Sequence, residues 1–384
     1  MDGFQWNEII SRFPHIAEEI FEELDDQSLT SCRLVEKSWK FFIDDKNYPW
    51  ERIVKTNDLE DGNTYLHLAA KYGQTEMFEN IFNKETEKNP RNEDQITPFH
   101  RACEKGHARI VEFIMKSSTE NNLDLNSRKR AGWRGFHYAC YRGHVNIVEL
   151  MVKNSEEYNI DLNAKDDGGY TGFHGACSFG YVNIVELLIK NSVECNIDLN
   201  VTTEYGFTGF IGACTEGYVN IVELVIKNSV ECNIDLTAKT DGGYTGFQYA
   251  CSNGHASIVE LLIKNSVDCN IDLNAKNDNG LTGFHDACLF GHVSIVELLV
   301  KNSVECNIDL NSKNAIWGFT GFHYACYNGH VSIVKLLIKN SVECQINLNI
   351  KSDAGFTGYA LPSASGQVKK LILDNSAQFN IDLN

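Results

Sequence analysis

No stretch of this 384-residue chain approaches the roughly 18–20 consecutive apolar residues that a membrane-spanning helix needs. Basic residues form no long run. With 34 Lys and Arg against 52 Asp and Glu the net charge is −18, so a nucleic-acid backbone would be repelled. The chain opens Met1-Asp2-Gly3-Phe4, without the basic stretch and apolar core of a secretory signal. A glycine-rich phosphate loop, a zinc-type ligand spacing and a Ser/His/Asp set outside the repeated motif are all missing. These absences exclude an enzymatic reading and leave no cofactor to expect. The 13 cysteines are an odd number and suit a reducing compartment better than a disulfide framework. The expectation is a soluble protein, cytoplasmic or nuclear, with neither membrane nor nucleic-acid partners.

What the chain has is a period. Segments reading T-G-F-H-x-A-C, or close to it, place cysteines at 103, 140, 177, 214, 251, 288 and 326, in five steps of 37 and one of 38. A fixed period between about 20 and 50 residues means stacked units, each too small to bury its own apolar face. One unit shows the pattern. Thr171 is placed to N-cap a helix, and Phe173, Ala176 and Cys177 fall on one buried stripe. Gly180 stops that helix with positive φ at no steric cost. The run Asn183–Ile189 predicts a second helix, apolar nearly all round, and Asn196 a left-handed stop before Ile197-Asp198-Leu199-Asn200 leads into the next turn.

These motifs resemble the ankyrin repeat, over residues 59–384. T-P-L-H-x-A-A…G-H-x-x-I-V-x-L-L becomes here T-G-F-H-x-A-C…G-H-V-S-I-V-E-L-L. Earlier units begin at Asn63-Thr64-Tyr65-Leu66-His67 and Thr97-Pro98-Phe99-His100, and a degenerate one ends the run at Thr357-Gly358-Tyr359-Ala360-Leu361. The resemblance implies an all-α solenoid of about nine helix-turn-helix units with short loop fingers. Two features depart from the family. Glycine replaces the usual proline at Gly172, Gly209, Gly246, Gly283 and Gly321, at roughly 1 kcal/mol of helix propensity each. The period also exceeds the family's roughly 33 residues by about one helical turn. That turn is expected to lengthen the second helix, as Ser192-Val193-Glu194-Cys195, leaving Cys195, Cys232, Cys269 and Cys306 helical and buried.

Cysteines at equivalent positions should lie about one helix spacing apart, roughly 8–10 Å. A disulfide needs Cα atoms within about 7 Å, so Cys177 and its counterparts read as small buried hydrophobes. The repeated histidine (His67, His100, His137, His174, His285, His323) could pair with a cysteine three residues on as zinc ligands. Ile211 and Gln248 replace it in two units, which favours its usual ankyrin role of bonding backbone at the turn. No metal is expected.

Residues 1–55 form a separate module ahead of the repeats at 56–384. Phe13-Pro14, then Ile16, Ile20, Phe21, Leu24 and Leu29 at helical spacing, then Cys32-Arg33…Val35…Trp39 and Trp50, resemble an F-box over residues 10–53, with Phe13 where that family has leucine. The resemblance implies a small three-helix domain that binds the adaptor of an SCF-type cullin–RING ubiquitin ligase. Phe13, Pro14, Ile16, Ile20, Leu24 and Leu29 would be contacts, and Val35 and Trp39 contacts or core. The leading expectation is thus a substrate-recognition subunit whose repeats hold a client protein. The alternative is a non-enzymatic repeat scaffold whose first helices only cap the stack.

The residue before each N-cap reads Trp133, Tyr170, Phe207, Tyr244, Leu281, Phe319 and Phe356 down the stack, and Tyr141, Phe179, Phe290 and Tyr327 follow the repeated cysteines. As a ladder these are client anchors or inter-repeat packing. The irregular tips Arg128-Lys129-Arg130 and Asn314-Ala315-Ile316-Trp317 could encode a particular target. Asparagines in the Asp-Leu-Asn loops (Asn126, Asn163, Asn200, Asn274, Asn311) resemble sites hydroxylated in some ankyrin proteins, and also suit a plain turn role.

Overall fold

The computed structural model describes residues 60–383. Every predicted adaptor contact, from Phe13 to Trp39, lies outside these residues. Among them are seventeen α-helices and a single isolated β-bridge, Lys239 to Thr245. The helices fall in two compact units, one ending at Arg130 and one beginning at Ala131.

In the first unit, α1 (Tyr65–Tyr72) and α2 (Thr75–Lys84) make one antiparallel pair, and α3 (Pro98–Lys105) and α4 (Ala108–Asn121) the next. The second unit repeats the pair: α5 (Gly135–Tyr141) with α6 (Val145–Lys153), α7 (Gly172–Ser178) with α8 (Val182–Lys190), and α9 (Gly209–Glu216) with α10 (Val219–Asn228). It continues through α11 (Gly246–Ser252), α12 (Ala256–Lys264), α13 (Gly283–Phe290), α14 (Val293–Lys301), α15 (Gly321–Tyr327) and α16 (Val331–Lys339), and closes on α17 (Gly366–Phe379). Within each unit, first helices pack on first helices and second on second, so two helical layers share one continuous core. In α8, Ile184, Val185 and Leu188 are fully enclosed while Glu186 and Lys190 face water. The last unit has only turns at 358–360 where a first helix would stand.

The caps follow the chemistry of the motif. Thr208 accepts from the Ile211 N–H at 3.2 Å, Gly180 has φ 77° and Asn196 φ 51°. Histidine adds a second tie. In the Thr171 repeat the backbone N–H of Thr171 donates to His174 Nδ1 at 3.2 Å, which places the ring proton on Nε2, and Nε2 donates to the Phe207 carbonyl of the next repeat at 3.0 Å. Gln248 reproduces both bonds, accepting from the Thr245 N–H at 3.0 Å and donating to the Leu281 carbonyl at 2.7 Å. Ile211 makes neither.

The glycine at the first helical position has a steric cause. A Cβ on Gly172 would stand 2.7 Å from Phe136 Cε1 and 2.8 Å from Cys140 Sγ of the preceding repeat, and Gly209 meets Phe173 and Cys177 in the same way. The bulkier Phe and Cys of this chain occupy the space that the family's proline would need.

One expectation fails. The extra turn does not lengthen the second helix: α8 ends at Lys190, and residues 191–196 form hydrogen-bonded turns. Asn191 Nδ2 donates to the Leu187 carbonyl and Ser192 Oγ to that of Ile189, both at 2.7 Å. Asn375 and Ser376 make the same two bonds at 2.8 Å inside α17, which continues past them, so these bonds do not decide where α8 stops. Only one further turn follows, with the Cys195 N–H on the Asn191 carbonyl at 2.9 Å. Cys195, Cys232, Cys269 and Cys306 are half-buried, not enclosed. Cys195 Sγ lies 3.8 Å from the Val152 carbonyl of the repeat before it. Where the sequence differs, in α4 and α17, the helix runs unbroken for 14 residues to a left-handed Asn122 or Asn380.

Candidate protein-binding face

Each finger of the second unit is a tight turn built by its first residue. Asp166 Oδ1 accepts from the N–H groups of Gly168 and Tyr170 at 2.9 and 2.8 Å, and Gly169 takes φ 80°. Successive tips are joined to one another. Glu204 N–H donates to the Gly168 carbonyl, Asp241 to Tyr205, Asp278 to Gly242, Ala315 to Asn279 and Asp353 to Trp317, at 2.9–3.1 Å. Lower down, Asn163 Nδ2 donates to the Asn196 carbonyl at 2.7 Å while its Oδ1 accepts from the Asp198 N–H at 2.8 Å; Asn200, Asn274 and Asn311 do the same one repeat on. The loop asparagines therefore splice neighbouring repeats, and the fingers form one bonded row.

That row carries the aromatic ladder. Trp133, Tyr170, Phe207 and Tyr244 are half-buried, each presenting part of its ring to solvent, and Phe356 is exposed. Leu281 and Phe319, expected as anchors, are 7% and 9% exposed and act as packing. On the first helices Tyr141 is half-buried, whereas Phe179, Phe290 and Tyr327 are half-exposed or more. The rungs are too far apart to stack directly, and rings from the first helices bridge them. Tyr249 lies 5.3 Å from both Phe207 and Tyr244, and Tyr141 lies 4.5 Å from Trp133 and 5.5 Å from Phe179 of the next repeat. Tyr249 was not singled out by sequence, since it occupies the variable place after the histidine position. Tyr205 was also missed; it is 65% exposed, at a tip where neighbouring fingers have Gly168 and Gly242.

The irregular finger stands out. Its extra residue puts five steps, not four, between Asn314 and Phe319, whose N–H donates to Asn314 Oδ1 at 2.7 Å. The longer loop pushes Ile316 and Trp317 outward, each about half exposed. Together with Tyr327, Phe356, Leu361 and Pro362 they line an open, largely apolar cleft of about 610 Å³.

Burial is the largest influence on the histidines and thiols of the stack. Desolvation pulls His67 and His285 down to about 4 and lowers His137, His174 and His323. It drives the thiols of Cys140, Cys177, Cys214, Cys251, Cys288 and Cys326 far up, so none is a ready nucleophile. Both ring nitrogens of the repeated histidines are engaged with backbone, and no group of three or more potential metal ligands converges among the described residues.

The sequence profile for ankyrin repeats (3 copies) matches this chain in overlapping windows at residues 40–128, 118–202, 136–240, 174–277, 210–314 and 264–352. A human protein, ankyrin repeat domain-containing protein 49, is 32% identical over 78 residues, which is 20% of this chain and 33% of that relative, so the match spans about a third of its length. With helix pairs, glycine stops, histidine ties and fingers repeating in register, and the profile matching most of its length, the chain belongs to the ankyrin-repeat family.

Proposed function

We propose that this protein is a non-enzymatic scaffold that captures a client protein on the face formed by its fingers and first helices. The half-open aromatic row ending in the Trp317 cleft carries this reading. Large rings held by bonded fingers offer contact area with little entropy left to lose. The test is affinity capture with the full chain. Hot-spot aromatics typically cost about 2 kcal/mol or more when truncated, so Tyr170→Ala with Phe207→Ala should weaken client binding at least about thirtyfold. Unchanged retention of every captured protein would reject this face.

A finer reading is favoured by one sequence observation, the run Phe13-Pro14, Ile16, Ile20, Leu24, Leu29, Val35 and Trp39. In it residues 1–55 dock an SCF-type adaptor, and the scaffold is the substrate receptor of a ubiquitin ligase. Adaptor co-purification that is lost on Phe13→Ala with Pro14→Ala, at unchanged thermal unfolding, supports the receptor. Retained co-purification rejects the F-box, and a large loss of stability assigns those helices to capping.

A further inference from the structure

The asparagine tie between neighbouring repeats is broken at one place. Asn163, Asn200, Asn274, Asn311 and Asn349 each span two backbone groups of the following repeat, donating to a carbonyl and accepting from the N–H two residues further on. Thr237 stands at the equivalent place, between Asn200 and Asn274. A hydroxyl offers one polar atom where an amide offers two, and this one turns back onto Asp235 Oδ1 at 2.7 Å. The groups that an asparagine would join here are the Asn270 carbonyl and the Asp272 N–H. Neither has a hydrogen-bond partner among the described residues.

The stack is also open at this place. Ile271, which lies between those two groups, is half-buried, whereas its counterparts Ile197, Ile234 and Ile308 are enclosed. Ala238, next to Thr237, is half-buried where Ala164 and Ala275 are enclosed. A cleft of about 660 Å³ lies there, open to solvent. Thr237, Lys239, Asn270 and Asp272 line it and are exposed, while Phe210, Phe247 and Leu262 line it from the core. Lys239 leaves the two backbone groups alone, since its Nζ donates to the Lys276 carbonyl at 3.2 Å. None of these residues belongs to the aromatic row.

We infer that this cleft is a second binding site, apart from the aromatic row, and that it takes a primary carboxamide, the side chain of an asparagine or glutamine in a bound polypeptide. The protein itself supplies the template for the ligand. In five neighbouring ties the same pair of backbone groups is satisfied by a carboxamide, and at Thr237 the pair is left for one from outside. Among side chains, only the carboxamide carries a donor and an acceptor side by side. A carboxylate has no N–H for the Asn270 carbonyl, and it would stand beside the acidic Asp272. An ammonium group has no acceptor for the Asp272 N–H. An aliphatic side chain would suit the apolar wall, but it would strip water from both backbone groups and replace neither bond.

The test variant is Thr237→Asn in the full chain, which rebuilds the tie from inside and adds bonds to the fold. Hydrogen exchange read residue by residue should show the Asp272 amide of wild type exchanging at least about tenfold faster than those of Asp198, Asp235 and Asp309. In Thr237→Asn it should slow to their rate. A phage library of random dodecapeptides is then depleted on Thr237→Asn and selected on wild type. The enriched peptides should share Asn or Gln at one fixed place. Such a peptide, synthesised and titrated by fluorescence anisotropy, should bind Thr237→Asn at least about tenfold more weakly than wild type, the loss expected for two hydrogen bonds. Wild type should lose as much when the fixed residue of the peptide is changed to Asp or Leu. Thr237→Ala, which leaves the tie broken, should keep the affinity. The site is overturned if Asp272 is already protected like its counterparts, or if no peptide distinguishes wild type from Thr237→Asn. It is equally overturned if the enriched peptides need no Asn or Gln, as an added extended strand would not, or if Thr237→Ala loses binding as Thr237→Asn does. None of these outcomes bears on the aromatic row, which Tyr170→Ala with Phe207→Ala tests separately.

Discussion

Replacing His285 by glutamine should remove part of the acid sensitivity of this protein without removing the bonds that histidine makes. His285 Nδ1 accepts from the Thr282 N–H at 3.1 Å, and Nε2 reaches the carbonyls of Ser312 and Phe319 at 2.8 and 3.1 Å. Gln248 shows that an amide can serve both ends of the same tie one repeat earlier. Burial holds His285 at about 4 in the folded chain against an ordinary 6.5. As pH falls below 6.5 the unfolded chain therefore takes up a proton that the folded chain refuses. Stability that is complete above 6.5 is lost progressively as pH falls through about 4. Integrated from pH 7 to pH 5, one such histidine costs about 2 kcal/mol, at about 1.4 kcal/mol per unit of pKa difference. Asp286 has the opposite sign, since its raised carboxyl takes up a proton in the folded state over the same interval. That contribution is common to both proteins and cancels in the comparison. Urea unfolding followed by circular dichroism at pH 7 and pH 5 should show His285→Gln close to wild type at pH 7 and about 2 kcal/mol ahead of it at pH 5. His67→Gln, in the other unit, should behave alike, because burial holds His67 at about 4 as well. A variant that loses as much as wild type between the two pH values would refute the argument. A variant already more than about 2 kcal/mol weaker at pH 7 would show that histidine does something that glutamine cannot.

Gly172→Ala should destabilise the chain by about 1–3 kcal/mol in thermal or urea unfolding, because overpacking against Phe136 and Cys140 outweighs the gain in helix propensity. Adding Phe136→Leu and Cys140→Ala should restore much of the loss, and a harmless Gly172→Ala would dismiss the steric account. In native protein a bulky maleimide should label Cys195, Cys232, Cys269, Cys306 and Cys344 well before Cys177 and its enclosed equivalents, as mass spectrometry of the digested product will show. Early labelling of Cys177 would mean that the core opens. Trp317→Ala should blue-shift and reduce the solvent-exposed component of tryptophan fluorescence and leave unfolding within about 0.5 kcal/mol, as for other exposed side chains; a large loss of stability would make the irregular finger a structural brace.

Much of the fold could be read from the sequence because each repeat states its rules in local chemistry. Thr208 caps, Gly180 reverses and Asn196 turns left-handed for reasons confined to a few neighbouring residues. The failures came where the local pattern does not carry the deciding contact. Ser192-Val193-Glu194-Cys195 breaks into turns although Asn191 and Ser192 make the same bonds as Asn375 and Ser376 of the unbroken α17, and nothing in its apolar pattern marks the stop. The glycine at position 172 likewise looked like a lost proline. Its cause lies 36 and 32 residues away, in Phe136 and Cys140, where no local pattern could reveal it. For the candidate site, the position of the aromatic ladder was legible, whereas its exposure was not. Leu281 and Phe319 occupy the same register as Phe356 yet are buried while Phe356 is open; around Phe319 the rings of Trp317 and Tyr324 close to 5.5 Å, a three-dimensional contact that the ladder's register does not reveal.

A stack of near-identical repeats cannot by itself distinguish one client from another, since identical rungs would accept a partner in several registers. Discrimination must come from places where the repetition is broken. Two breaks in the fingers of the second unit open to solvent: Tyr205, where the neighbouring fingers have Gly168 and Gly242, and the extra residue that turns Ile316 and Trp317 outward. They present two different kinds of surface, a phenol and an apolar wedge. The repeats containing Tyr205 and Trp317 are in turn joined through the repeats between them by the bonded finger tips, with Asn200, Asn274 and Asn311 adding ties. Rigid spacing between unlike contacts is what fixes register. On the proposed capture face the invariant residues therefore set the distances, and the two exceptions are where a client's register would be fixed.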